Sequence, residues 1–164
     1  MEGFDKLAEA LTAYVSRAAE KMRRQGSATP AVIVMLNTNR HRPEDAQHYV
    51  TRHAKLTIAT ADIGRLIRAA LWGLRGIYKP GFQDKKCGIL LLDIAPAEAV
   101  QNSLFLRPDD PRRVALMGAV DQLNHRYGRD RVRYASTGIE RGWKLRAEFH
   151  SPRYTTRWAE LLTV

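Results

Sequence analysis

Apolar residues recur at three- and four-residue intervals over residues 5–25, where Leu7, Leu11, Tyr14, Val15, Ala18, Ala19 and Met22 share one side of a helix. Asp5 is placed to cap its start, Lys21, Arg23 and Arg24 suit the negative end of the helix dipole, and Gly26 stops it. Residues 27–30, Ser-Ala-Thr-Pro, read as a turn, and 31–36 as a short apolar strand. A polar loop over 37–45 carries Arg40, His41 and Arg42. From 47 to 58 the pattern changes to alternation. Val50, Arg52, Ala54, Leu56 and Ile58 hold one parity, and Tyr49, Thr51, His53 and Lys55 the other. That is a strand covered on one face and wet on the other, although Arg52 interrupts the apolar side. Thr60 or Asp62 then caps a second helix, with Ile63, Leu66, Ile67, Ala70, Leu71, Leu74, Ile77 and Tyr78 on its buried side, and Lys79-Pro80-Gly81 ends it. A third strand is predicted over 89–94. Helix, strand, strand, helix, strand in this order predicts an α+β fold, with helices packed on one face of a small antiparallel sheet.

Residues 100–111 differ from both flanks. Val100-Gln101-Asn102-Ser103-Leu104-Phe105-Leu106, closed by Arg107-Pro108-Asp109-Asp110-Pro111, has no periodic partner, and its prolines disfavour helix. Leu104 and Phe105 either enter a pocket on another protein or fold back onto their own domain; the pattern leaves both open. Beyond it, 113–127 predicts a third amphipathic helix, with Val114, Met117, Val120, Leu123 and Tyr127 inward and Gly128 closing it. Residues 131–135 and 143–149 alternate as two strands would. The tail from 151 to 158 is polar with aromatics and is expected to be extended. The division is therefore 1–99, a linker over 100–111, and a small α+β module over 112–164.

Charge sharpens this. The 27 Lys and Arg against 17 Asp and Glu give a net charge of +10. Residues 1–106 hold 15 basic and 10 acidic side chains and residues 107–164 hold 12 and 7, so each part is +5 and the shorter second part is about twice as dense. Eleven of its twelve cations are Arg, whose planar fork suits phosphate. Such an excess points to a polyanion, nucleic acid above all. The candidate contacts in the first part are Arg40, Arg42, Thr51, Arg52, Lys55, Lys79, Lys85 and Lys86, suited to gripping a phosphate backbone without reading bases. The single cysteine, Cys87, allows no internal disulfide and no Cys-based zinc site, reads as a packing residue, and favours the cytoplasm. No apolar run approaches a membrane span. Phosphate-loop, His-Glu-x-x-His and Gly-x-Ser-x-Gly motifs are missing, and the carboxylates are scattered: Asp62 and Asp121 read as helix-cap and helix-surface residues, Asp93 as a strand end. His41, His48 and His53 read as loop and strand-surface imidazoles rather than metal ligands. A basic RNA-binding or ribosome-associated α+β protein stays open as the alternative.

Three runs go further: Tyr14-Val15-x-Arg17-Ala18-Ala19-Glu20-Lys21-Met22-Arg23; Thr60-Ala61-Asp62 through Ile77-Tyr78-Lys79-Pro80-Gly81-Phe82; and Lys85-Lys86-Cys87-Gly88-Ile89-Leu90-Leu91-x-Asp93. Together they resemble the little-finger domain of bacterial Y-family translesion polymerases of the UmuC type. Leu116-Met117-x-Ala119-Val120-Asp121-x-Leu123-Asn124, Ala135-Ser136-Thr137-Gly138-Ile139 and Ser151-Pro152-Arg153-Tyr154-Thr155-Thr156-Arg157-Trp158 resemble the short module that ends those subunits. The resemblance implies an error-prone polymerase of SOS repair and mutagenesis whose little finger grips primer-template DNA through its backbone. It implies that Gln101, Leu104 and Phe105 are the peptide that binds the sliding clamp, which favours the pocket-ligand reading. It also implies that palm, fingers and thumb, with their Mg2+-binding carboxylates, lie upstream, so that this part carries no cofactor and is not itself an enzyme, and that Met1-Glu2-Gly3 is not the parent's own beginning. Arg153, Tyr154, Thr155, Thr156, Arg157 and Trp158 would meet a recombinase filament, the accessory subunits or the rest of the polymerase. The first little-finger strand is largely missing, which leaves a sheet edge open to strand exchange or a homodimer.

Overall fold

The structure, a computed structural model, describes residues 3–100, 109–139, 142–143 and 151–160. The elements follow the predicted order. Helix α1 (Phe4–Arg24), strands β1 (Ser27–Asn37) and β2 (Tyr49–Thr60), helix α2 (Ile63–Ile77), strand β3 (Lys86–Leu92), a two-residue strand β4 (Ala95–Pro96) and helix α3 (Pro111–Tyr127) make up the α+β fold. The sheet is antiparallel in the order β2-β1-β3, and β4 pairs with the start of β1. Both α1 and α2 lie on one face, burying Leu7, Leu11, Val15, Met22, Leu66 and Leu74 against Val32, Val34 and Leu36 of β1.

Several boundaries differ from the pattern-based expectation, each for a local reason. Residues 27–30 are strand rather than turn, because Ser27 and Ala28 pair with Pro96 and Ala95. The register shifts between Thr29 and Ala31, where Pro30 has no N–H to give a ladder. Thr29 there hydrogen-bonds with its hydroxyl to the carbonyls of Leu92 and Ala31. The reversal sits instead at Gly26, whose φ of 63° is left-handed and suits glycine. Gly3 rather than Asp5 occupies the N-cap of α1, without a side-chain cap, while Asp62 caps α2 by accepting from the Arg65 N–H at 2.8 Å. β3 ends at Leu92, and Asp93 follows with φ 47°. No strand precedes α1 among the described residues, and the outer edge of β3 has no partner among them.

Helix α3 is docked on α1 and α2 by one mixed face. Arg113, Met117 and Asp121 stand at i, i+4 and i+8. Met117 is buried in the core, with the Tyr134 hydroxyl 3.6 Å from its sulfur. The Arg23 guanidinium donates twice to Asp121, both at 2.7 Å, and Arg113 reaches Asp62 at 2.8 Å. Asp109, just before the helix, accepts from the Thr60 hydroxyl at 2.6 Å and pairs with Arg65 at 3.1 Å. Asp110 caps α3 and Pro111 opens it. The expected inward set is therefore corrected: Val114, Leu123 and Tyr127 are exposed and Val120 is only half-buried. Ion pairs, not the apolar stripe, orient this helix. After it, 131–134 is not a strand, and 135–137 is a turn of 3₁₀-helix whose Thr137 is buried. The second expected strand, beyond Trp143, lies outside the described residues; Trp143 itself meets Tyr14 edge-on at 5.6 Å. The tail is not simply extended, since Arg153 carbonyl accepts from the amides of Thr156 and Arg157 in a turn.

Candidate nucleic-acid interface

The sheet face opposite the helices is the place to look, because strand alternation presents one parity there. Pairing aligns four rows across it: Tyr49, Asn37 and Lys86; Thr51, Met35 and Gly88; His53, Ile33 and Leu90; Lys55, Ala31 and Leu92. Tyr49, Thr51, His53 and Lys55 are exposed along β2, and Lys86 is exposed on β3. Between them runs a partly exposed apolar middle, Ile33 and Met35. Gly88 keeps it low: a Cβ there would sit 3.0 Å from the Met35 side chain. The face is thus a shallow trough, with Thr51, His53 and Lys55 along its β2 rim and, on its β3 rim, a single cation, Lys86, followed by exposed Leu90.

One end of this trough is built up by two loops. In the loop between β1 and β2, the Gln47 amide nitrogen lies 2.9–3.2 Å from the carbonyls of Asn39, Arg42 and Asp45. The Thr38 hydroxyl bonds to Gln47 Oε1 at 3.1 Å, and the Thr38 amide to the His48 carbonyl at 3.0 Å. A loop so tied presents Arg40 and Arg42 at low entropic cost. Arg40 lies over the Tyr49 ring, 4.9 Å from its centroid. His48 is buried, which corrects its reading as a surface imidazole: its ring packs 4.6 Å from Phe82, and Nδ1 is 3.5 Å from Asp84 Oδ1. This couples the first loop to the one after α2, which carries Lys79 and Lys85, and Lys85 N–H donates to the Asn37 carbonyl. Burial pushes the Asp84 carboxyl up, with the His48 hydrogen bond and charge opposing.

Of the eight predicted contacts, the open sheet face carries Thr51, Lys55 and Lys86, with Arg40 brought to its end over the Tyr49 ring. Arg42 and Lys85 line a cleft together with Lys6 and Glu9 of α1, and Lys79 is exposed in the loop after α2. Arg52 belongs to the other face. Its guanidinium stacks on Trp72 of α2 at 4.3 Å from the ring centroid, so it packs beside the helix and does not join the trough. Sequence reasoning missed the Phe82 and Asp84 brace, although an aromatic and an acid two residues apart after a Pro-Gly turn, with a histidine upstream, were its signal. Gln101, Leu104 and Phe105 lie outside the described residues. Arg153, Tyr154, Thr155, Thr156, Arg157 and Trp158 are exposed, Trp158 most of all. Among the described residues no three His, Cys, Asp or Glu converge as metal ligands would, and no helix is long and apolar enough to cross a membrane.

A helix-backed antiparallel sheet with one open face, edged by Lys55 and Lys86, marks the class, a two-helix α+β module. The family follows from comparison. Residues 1–104 match the impB/mucB/samB family C-terminal domain, so the chain belongs to that family, as the resemblance to the C-terminal region of UmuC-type Y-family polymerases implied. Residues 114–164 match a domain of unknown function, DUF4113. Among the relatives, Protein MucB of Salmonella typhimurium is 29% identical over 161 residues, 98% of this chain and 38% of the relative. Protein SamB of the same organism is 31% identical over 160 residues, 96% and 37%, and its Protein UmuC is 30% identical over 165 residues, 98% and 38%. The chain therefore spans about two fifths of the length of these curated relatives. No solved structure gives a significant match.

Proposed function

We propose that this chain is the DNA-gripping and clamp-tethering C-terminal portion of an error-prone translesion polymerase, acting in the cytoplasm in DNA repair and mutagenesis. The observation that supports it best is the open sheet face. Thr51, Lys55 and Lys86 line a trough, Arg40 over the Tyr49 ring adds a cation at its loop end, and Arg42, Lys79 and Lys85 are exposed on the adjoining loops, with no helix on this face among the described residues. Flexible cations and hydroxyls on a sheet bind phosphates, hold a duplex in place and leave its sequence unread. The apolar middle of the trough suits the sugar edges of a groove. Nucleotidyl transfer requires converging metal-binding carboxylates, and this reading assigns them to the roughly three fifths of such a protein that the chain does not span.

Binding to primed duplex DNA across a salt series tests the reading. Neutralising roughly 3–5 phosphates predicts a log–log slope of about −3 to −5. Lys55→Glu and Lys86→Glu should weaken binding to all sequences alike. Arg52→Glu, on the helix side, should lower stability more than affinity. A slope near zero, a strong preference for one sequence, or tighter binding to structured RNA than to DNA would overturn it.

A further inference from the structure

We propose that the groove running along α3 is a docking site for an acidic amphipathic helix of another protein. The observation is a stripe that the fold leaves bare. Leu116, Val120, Leu123 and Tyr127 follow one another at four, three and four residues, the spacing of a coiled-coil seam. In a folded protein such a seam is normally covered. Here Leu116 is 57% exposed, Leu123 42% and Tyr127 56%. The helix is already fixed by its neighbouring face, Arg113, Met117 and Asp121, so the seam is not needed to hold α3 in place.

The seam also has a second wall. Asn124 makes two hydrogen bonds to the backbone of Val132, accepting from its N–H and donating to its carbonyl, both at 2.9 Å. This holds Val132, 40% exposed, beside the helix. Leu116, Val120, Ala13, Val132 and Tyr134 then line a cleft of about 280 Å³ between α3, α1 and the segment after α3. It is a preformed groove, closed at its base by Met117.

Charge selects the occupant. Arg112 and Arg126 flank the seam on its outer side, while Arg17, Arg129 and Arg133 stand on the inner side, and none of the five has an ion-pair partner among the described residues. The acids at the groove are fewer: Glu20 and Asp121 are matched by Arg24 and Arg23, and Asp130 lies in the turn after α3. A second copy of α3 would set Arg against Arg in either orientation, which disfavours self-association through this face. A nucleic acid could use the arginines and Tyr127 but gains little from Leu116 and Leu123. A helix with leucine-like anchors and Glu or Asp on its flanks satisfies both features.

The test uses the whole chain and three labelled probes read by fluorescence anisotropy. The first is a synthetic three-heptad peptide with Leu at its a and d positions and Glu at e and g; the second is its twin with Lys for Glu; the third is a mixed-sequence single-stranded oligonucleotide. The Glu peptide should bind in the micromolar range, fitting a small contact, and at least tenfold tighter than the Lys twin. Leu116→Asp or Leu123→Asp should weaken it at least tenfold while leaving the melting temperature and primed-duplex binding unchanged. Arg112→Glu combined with Arg126→Glu, on exposed positions, should reverse the preference towards the Lys twin, a readout that stands even if the Asp variants misfold. Failure of the Glu peptide to bind, equal binding of the twins, displacement by the oligonucleotide with loss of both at Leu116→Asp, or a concentration-dependent dimer that Leu116→Asp abolishes would each overturn the proposal.

Discussion

The contact between Arg23 and Asp121 carries the attachment of α3, and its strength can be worked out from the structure. Both hydrogen bonds are 2.7 Å, the short end for a charged pair, and they are parallel in the bidentate manner of arginine. The Arg23 side chain is 12% exposed and that of Asp121 25%, between the surface regime, where a pair contributes about 0–1 kcal/mol, and the buried one, where removing a partner costs about 3–5 kcal/mol. Arg23 also donates to the Ala61 carbonyl at 3.1 Å. Arg23→Ala should therefore cost about 2–3 kcal/mol, Asp121→Ala somewhat less, and the double-mutant cycle should give a coupling of about 1–2 kcal/mol. Urea unfolding at low and moderate salt provides the numbers, and at this chain length each kcal/mol moves the melting temperature by about 2–4 °C. The coupling should fall only modestly with salt, because the pair is partly shielded from the solvent ions. A coupling below about 0.5 kcal/mol, with both single variants near the parent, would refute the assignment of α3 docking to this pair and leave Met117 as the anchor.

Asp84→Asn should change the pH dependence of stability. Its folded carboxyl is held above the usual 3.8, chiefly by burial, so it stabilises the fold fully below that value and less as pH rises through the raised one. The Asn variant should accordingly gain on the parent between acid and neutral pH, and parallel unfolding curves at every pH would contradict this. Cys87 is buried, and its thiol is pushed up to about 12 by burial and by the neighbouring Asp84 charge. It should react with a disulfide reagent at pH 8 only as fast as the protein opens, and rapid stoichiometric labelling of the native chain would show otherwise. Leu104→Ala with Phe105→Ala should abolish binding to a bacterial sliding clamp while circular dichroism, melting and DNA affinity stay the same; a large loss of stability would place both side chains in the core.

What the pattern of the chain made legible was whatever packing of side chains on a period decides. α1, α2 and both parities of β2 were readable because Leu7 to Met22, Ile63 to Ile77 and Val50 to Ile58 repeat at the spacing of their element. The start of β1 was not, because Ser27 and Ala28 become strand only through a partner almost seventy residues later. The orientation of α3 was misread for a related reason. Its inward face is chosen by Arg23 and Asp62, residues on other elements, and periodicity within the helix carries no trace of them. At the candidate interface the residue types were legible and the faces mostly so. Arg52 shows the limit: its parity put it among apolar neighbours, yet its charge suggested the open face, and the stacking partner Trp72 that resolves the conflict lies on α2.

The central position of β1 has a consequence for how the molecule breathes. It is hydrogen-bonded on one side to β2 and on the other to β3, and its first residues to β4, while β2 and β3 are each bordered by β1 alone among the described residues. Fraying of either outer strand exposes one row of β1 amides and leaves the other row, with the helices above it, in place. Among the amides of Val32 to Leu36, those facing β2 should then exchange with deuterium at the rate β2 frays and those facing β3 at the rate β3 frays, and the full set exchanges together only when the whole sheet comes apart. The rim that would meet a polyanion lies on the outer strands, Thr51 and Lys55 on one and Lys86 on the other. Under the proposed function, local adjustment to a bent or distorted duplex would be confined to elements that can move without loosening the one on which the fold depends.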